Sequence, residues 1–151
     1  MKPNKSKQGR EVPQAQLKTE YLGSSMMRSA RRLQRDYKEL MESNDPPVGV
    51  SARPLATDMY IWHGNLRGPN GTGWRNGVFH FEMKVPLDYP NSPPKIKFFT
   101  TISHPNVFGQ ELCLDMFDIN KRHVYEGWVP AYTIEAILLQ LQTFLFKGHP
   151  S

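Results

Sequence analysis

Apolar positions recur at three- and four-residue spacing from Met27 through Ala30, Leu33, Tyr37, Leu40 and Met41, with Arg31, Arg32, Arg35, Lys38, Glu39 and Glu42 between them. That period predicts an amphipathic helix with a basic outer face. Asn44-Asp45-Pro46-Pro47 stops it, because each proline removes a backbone donor and pushes the residue before it out of helical geometry. Four shorter segments follow, VGVSARPL, MYIWHGNL, GVFHFEMKV and KIKFF. The third alternates most clearly, with Phe79, Phe81, Met83 and Val85 on one face and His80, Glu82 and Lys84 on the other. Gly68, Pro69, Asn70, Gly71 and Gly73 fall where a hairpin loop would join the second segment to the third. Such short connections suit antiparallel neighbours.

PLDYPNSPP, residues 86–94, is too proline-rich for a sheet interior and reads as a rigid loop that accommodates a cis Tyr89–Pro90 bond. Residues 100–131 show little periodicity, and a loop of that length inside a compact domain is usually functional. Thr133 then caps a last helix in which Ile134, Ile137, Leu138, Leu141 and Leu145 form a wide apolar face, ended by Gly148 and Pro150. The order helix, antiparallel meander, long loop, helix is an α+β pattern.

Composition changes this picture little. The chain has 151 residues and a net charge of +5, but residues 1–28 hold six Lys/Arg against two Asp/Glu, so the remainder is near neutral. Residues 1–24 lack periodic apolar positions and read as a flexible basic leader, with residues 25–151 forming one domain. A nucleic-acid role would rest on that leader alone. No apolar run approaches the roughly 18 residues that span a bilayer, and the first twenty residues carry no apolar targeting core. The expectation is a soluble protein of cytoplasm, nucleus or both. Cys113 is the only cysteine, which excludes an internal disulfide and any Cys-x-x-Cys metal or redox site.

A single cysteine is often just a small buried apolar side chain. Here it stands in HPNVFGQELCLDMF, seven places after Asn106 and two before Asp115. The ordered set RRLQRDYKEL, GPNGTGW, GVFHFEMKVPLDYPNSPPKIKFFT, HPN, CLD, Trp128-Val129-Pro130-Ala131 and ILLQLQTFLF resembles the ubiquitin-conjugating enzyme family over residues 27–146. The resemblance implies an N-terminal helix, a four-stranded antiparallel meander, an active-site loop and a crossover helix. It implies that Cys113 takes the C-terminal carboxyl of ubiquitin or a ubiquitin-like protein from an ATP-dependent activating enzyme as a thioester, then passes it to a substrate lysine or a ligase. It requires no cofactor and no metal of the chain itself.

The chemistry is consistent with those residues. A free thiol with a pKa of about 8.5 is only a few per cent thiolate at neutral pH. Exchange between thioesters tolerates this, since the acyl group arrives activated and another thiol leaves. When lysine attacks, an amide donor can stabilise the oxyanion by about 3 kcal/mol; the resemblance assigns this to Asn106, with His104 and Pro105 holding the loop. Asp115 either orients or desolvates the lysine, whose pKa of about 10.4 must be overcome, or is satisfied by loop donors. Glu111 and Asp118 read as exposed loop charges, His123 and His149 as exposed, and Trp62, Trp74 and Trp128 as core or anchoring aromatics.

The resemblance also places the activating enzyme against Arg31, Arg32 and Arg35 on the first helix. Ligases would meet two loops, one with Asn91 and Pro93, the other with Pro130 and Ala131. Asn91 and the first helix are shared with members linked to DNA-damage tolerance and histone modification. Three departures stand out. Six residues separate Asn106 from Cys113, one fewer than in comparable members, which predicts an offset between donor and thiol unless the loop compensates. FDINKRHVYEG, residues 117–127, is longer than in minimal members, as if to gate the site. FLFKGHPS stands where the family continues through an acidic loop and two more helices, which predicts an uncovered strip on the crossover helix and self-association or marginal stability. A rival reading is therefore a binding module of the same fold that turns over poorly; Cys113 favours the enzyme.

Overall fold

The computed structural model describes residues 14–120 and 127–147, with side chains from residue 18. Helix α1 spans Gln14–Glu42, followed by strands β1 (Val50–Leu55), β2 (Asp58–Arg67), β3 (Val78–Lys84) and β4 (Lys95–Phe98). Two short strands, β5 (Val107–Phe108) and β6 (Glu111–Leu112), precede a 3-10 turn (Asp115–Phe117) and helix α2 (Ile134–Phe146). All pairings are antiparallel, in the order β1-β2-β3-β4-β6-β5. The first four strands are the expected meander; the last two come from the segment expected to be loop.

The alternation in β3 holds. Phe79, Phe81, Met83 and Val85 are all buried, and Trp62, Leu66, Ile96 and Phe98 meet them from neighbouring strands. Helix α2 covers this face. Thr133 Oγ1 accepts the Ala136 N–H, and Ile134, Ile137, Leu138, Leu141 and Leu145 are fully buried, while Leu139 and Phe144 stay exposed on its outer side. The bond Tyr89–Pro90 is cis. The predicted stop of α2 at Gly148 and Pro150 lies outside the described residues.

Helix α1 departs from expectation twice. It begins at Gln14, so residues 14–24, read as part of a flexible leader, are helical. Gln, Ala, Leu, Lys and Glu are good helix formers, and propensity extends the helix where no burial marks a period; Tyr21 and Leu22 are exposed. The face that packs is also shifted. Met27 and Met41 are exposed, whereas Ser29, Leu33 and Asp36 have no accessible surface.

Asp36 can be buried because its charge is answered. Arg32 Nε lies 2.9 Å from Asp36 Oδ1, and the Tyr89 hydroxyl donates to Asp36 Oδ2 at 2.8 Å. The same guanidinium donates to the carbonyls of Pro130 and Tyr132, each at 2.9 Å, and stacks over the Tyr89 ring at 5.5 Å. Burial first, then the Asp36 charge, push the Tyr89 phenol above its ordinary pKa range, so it remains a hydrogen-bond donor at physiological pH. Removing the Tyr89 hydroxyl (Tyr89→Phe) should cost about 1–3 kcal/mol in denaturant unfolding, because a buried carboxylate oxygen loses its partner. Asp36→Ala should cost about 3–5 kcal/mol by leaving Arg32 half-buried and uncompensated. Ser29 behaves oppositely. Its buried hydroxyl has no hydrogen-bond partner among the described residues, so Ser29→Ala should leave the midpoint unchanged or raise it.

Candidate active site

The segment around Cys113 is a tight hairpin. Val107 pairs with Leu112 and Phe108 with Glu111, leaving Gly109 and Gln110 as a two-residue connection. Gly109 has φ +65, the left-handed region that glycine enters without a Cβ clash, at the first position of a type II′-like turn. This answers the short spacing. Cys113 N–H donates to the Asn106 carbonyl at 2.8 Å, and Asn106 Nδ2 donates to the Cys113 carbonyl at 3.2 Å. With the short spacing taken up by the turn, the Asn106 amide sits against the Cys113 backbone.

His104 sets the base of the hairpin. Its nearly buried ring accepts the Asn106 N–H at Nδ1, 3.1 Å away, and its carbonyl accepts the Val107 N–H at 3.0 Å. An Nδ1 that accepts from a backbone amide is not the base for a thiol. Pro105 is exposed beside it.

Cys113 is exposed, and its neighbours Leu112 and Leu114 are buried on either side, so the pleat projects the thiol outward. A cleft of ≈ 430 Å³ is lined by Asn106, Cys113, Leu114, Asp115, Phe117 and Asp118. A second, of ≈ 290 Å³, lies between Leu114, Asp115 and Met116 on one side and Tyr132, Gln140 and Phe144 of the α2 region on the other. Asp115 borders both. Asp118, expected to be a bare loop charge, is half-buried in the first cleft. Its side chain accepts the Asn120 N–H at 2.8 Å and its carbonyl accepts the Trp128 N–H at 3.1 Å. Its only sequence signal was its place three residues after Asp115, which one 3-10 turn brings to the same side. Glu111 is exposed, as expected.

The partner-surface residues separate. Arg31 and Arg35 are exposed on α1, Arg35 facing Glu39 at 3.6 Å. Arg32 is not available to a partner, because its side chain is only 14% exposed and spent on Asp36 and two carbonyls. Asn91, Pro130 and Ala131 are exposed and Pro93 is half-buried. The two loops adjoin, since Trp128 Nε1 donates to the Pro90 carbonyl at 2.7 Å. His123, His149 and residues 121–126 of the lengthened segment lie outside the described residues. Among the described residues no three His, Cys, Asp or Glu side chains gather as a metal site, and no helix is long and apolar enough to cross a membrane.

Known proteins share this fold. The ubiquitin-conjugating enzyme family profile matches residues 32–151. A protein of Aspergillus fumigatus, ubiquitin-conjugating enzyme E2 2, is 40% identical over 116 residues, covering 76% of this chain and 71% of its own length. Ubiquitin-conjugating enzyme E2 1 of Caenorhabditis elegans is 36% identical over 124 residues, 82% of this chain and 60% of its own length. The structure of human ubiquitin-conjugating enzyme E2 G1 superposes with a TM-score of 0.68 at 34% identity, covering 77% of this chain and 93% of that one. The chain belongs to the ubiquitin-conjugating enzyme family. It is thus a transferase of a family that works through a cysteine thioester.

The turn that compensates the short spacing is open to test. Gly109→Val forces a β-branched residue to positive φ, at a cost of about 1–3 kcal/mol. The Cys113 and Asn106 amide resonances should shift and hydrogen exchange at Cys113 N–H should quicken; unchanged exchange would show that the turn does not hold the pair.

Proposed function

We propose that Cys113 is the acceptor of this enzyme, for ubiquitin or a ubiquitin-like protein. Its thiolate attacks the thioester carbonyl of the modifier carried by an activating enzyme, in a pathway driven by ATP at that earlier enzyme. The activating enzyme's thiolate leaves and Cys113 holds the modifier. A lysine amine of a substrate, or a ligase cysteine, then attacks the Cys113 thioester, and the Cys113 thiolate departs. In the lysine case the nitrogen sheds a proton, which a carboxylate at the cleft can receive or pass to water.

The observation that carries this reading is the reciprocal pair of hydrogen bonds between Asn106 and Cys113 beneath an exposed thiol. An amide nitrogen has two N–H bonds, and with one on the Cys113 carbonyl the other can meet the oxyanion that forms when lysine attacks. His104 and Pro105 position that amide. Asp115, between two clefts, orients the lysine or the modifier's extended C-terminal tail. Arg31 and Arg35 form the cationic contact for the activating enzyme, and Asn91, Pro93, Pro130 and Ala131 the ligase surface. The site of action is cytoplasmic, nuclear or both, which accords with an unpaired exposed thiol.

Incubation with ubiquitin, activating enzyme and ATP should give a thiol-sensitive adduct on a non-reducing gel, converted to a stable ester in Cys113→Ser. Asn106→Ala should charge normally yet discharge to free lysine about 10²–10³-fold more slowly. No adduct with any modifier would leave the chain a binding module. Equal loss of charging and discharge would remove Asn106 from the oxyanion role.

A further inference from the structure

The cleft beside Cys113 is lined by the Asn106 amide and by two carboxylates in unlike settings. Asp115 is exposed and borders the second cleft as well. Asp118 is half-buried and built into the loop. Phe117 N–H donates to the Leu114 carbonyl and Asp118 N–H to the Asp115 carbonyl, each at 2.9 Å, so two successive turns fold the chain back after the cysteine. Asp118 Oδ1 accepts the Asn120 N–H at 2.8 Å, and the Asp118 carbonyl accepts the Trp128 N–H at 3.1 Å. These bonds hold the side chain with one carboxylate oxygen committed. Among the described residues Oδ2 has no donor, and no Lys or Arg side chain pairs with it. A held carboxylate without a cation, in the cleft of a nucleophile, is suited to an incoming amine.

We propose that Asp118 receives the acceptor lysine and so favours an amine over a thiol at the Cys113 thioester, a role that rests on Cys113 being the acceptor of the modifier. The lysine ammonium enters against the carboxylate, loses one proton to solvent and attacks as the neutral amine. The C–N bond forms, the nitrogen becomes cationic and the carbonyl oxygen becomes the oxyanion. A cationic nitrogen in such an adduct is acidic, so a carboxylate suffices as base. The nitrogen's excess proton passes to Asp118 as the C–S bond breaks and the Cys113 thiolate leaves, and Asp118 returns that proton to the thiolate or to water. Phe117 lines the same cleft and packs on Trp128, 6.5 Å between ring centres, which gives the aliphatic stem of the lysine an apolar wall. A ligase cysteine attacks as a thiolate. It brings no cation and has no nitrogen proton to lose, so Asp118 does nothing for it. The modifier's tail is left to Asp115, on the border with the second cleft.

Single-turnover discharge tests this. The full chain is charged with ubiquitin, or with the ubiquitin-like protein that gives the thiol-sensitive adduct, and chased at one pH with L-lysine or with N-acetylcysteine. Asp118→Asn removes the charge but keeps an oxygen to accept the Asn120 N–H, so the loop is retained. Its lysine-to-thiol rate ratio should fall about 10–100-fold, with a higher lysine concentration needed for the half-maximal rate. Asp115→Asn should change the ratio less. The role of Asp118 alone is overturned if the chain charges and Asp118→Asn keeps the parent ratio, if it slows both acceptors equally, as a merely structural residue would, or if Asp115→Asn lowers the ratio more. A parent chain that charges with no modifier overturns the acceptor reading itself, and the role of Asp118 with it.

Discussion

A buried carboxylate needs partners, and Asp36 collects them from parts of the chain far apart in sequence. Arg32 meets it from the same helix and Tyr89 from the proline loop after β3, while the same guanidinium and phenol reach the Tyr132 carbonyl before α2. A single charge therefore fixes how the first helix, the cis-proline loop and the entry to the last helix lie relative to one another. Asp36 has no accessible surface, so losing either partner would leave its carboxylate short of a hydrogen bond, and the three segments hold one arrangement. The surfaces proposed for activating enzyme and ligase stand on those segments. Their relative placement is a property of the core, with exposed residues such as Arg31, Asn91 and Pro130 supplying only the contacts.

The cysteine hairpin solves a different constraint by local means. With six residues between Asn106 and Cys113, a wider loop would leave the amide out of reach of the thiol's backbone. A two-residue turn with glycine at positive φ consumes no more chain than the pairing of Val107 with Leu112 requires. The pleat then decides exposure, since Leu112 and Leu114 point into the core and Cys113 must point out. The thiol's accessibility thus follows from two leucines.

What the sequence disclosed and what it hid divide along physical lines. Alternation in β3 and the leucine-isoleucine face of α2 were legible because burial imposes a period on apolar residues. Residues 14–24 were not, because an exposed helix made by propensity has no period to find. Met27 and Met41 were misplaced for the same reason in reverse: the pattern rewards apolar residues, whereas the packed face uses Ser29 and Asp36, and the charge of Asp36 is met by Tyr89, 53 positions away. Arg32 looked like Arg31 and Arg35 in sequence; Arg35 also reaches Asp36, at 3.7 Å, but stays exposed, whereas Arg32 is held close on Asp36 and two loop carbonyls. The motif around Cys113 was legible as residue types, but the closure of its short spacing depended on a turn conformation that only backbone geometry displays.

Asp118 shows how the two constraints meet. Its carbonyl takes the Trp128 N–H, and Trp128 in turn donates to Pro90 and packs edge-on against Tyr132, 5.6 Å between ring centres. Tyr132 is where Arg32 and Tyr89 converge. A continuous set of contacts therefore runs from the buried carboxylate on the first helix, through the two proposed ligase loops, to a carboxylate on the wall of the cysteine cleft. Phe117, on the same cleft wall, also packs against Trp128, 6.5 Å between ring centres. Asn106 is held instead by the hairpin's own hydrogen bonds to Cys113. The acid wall of the cleft and its amide wall therefore rest on different parts of the fold, one on the Trp128–Tyr132 segment and the other on a local turn.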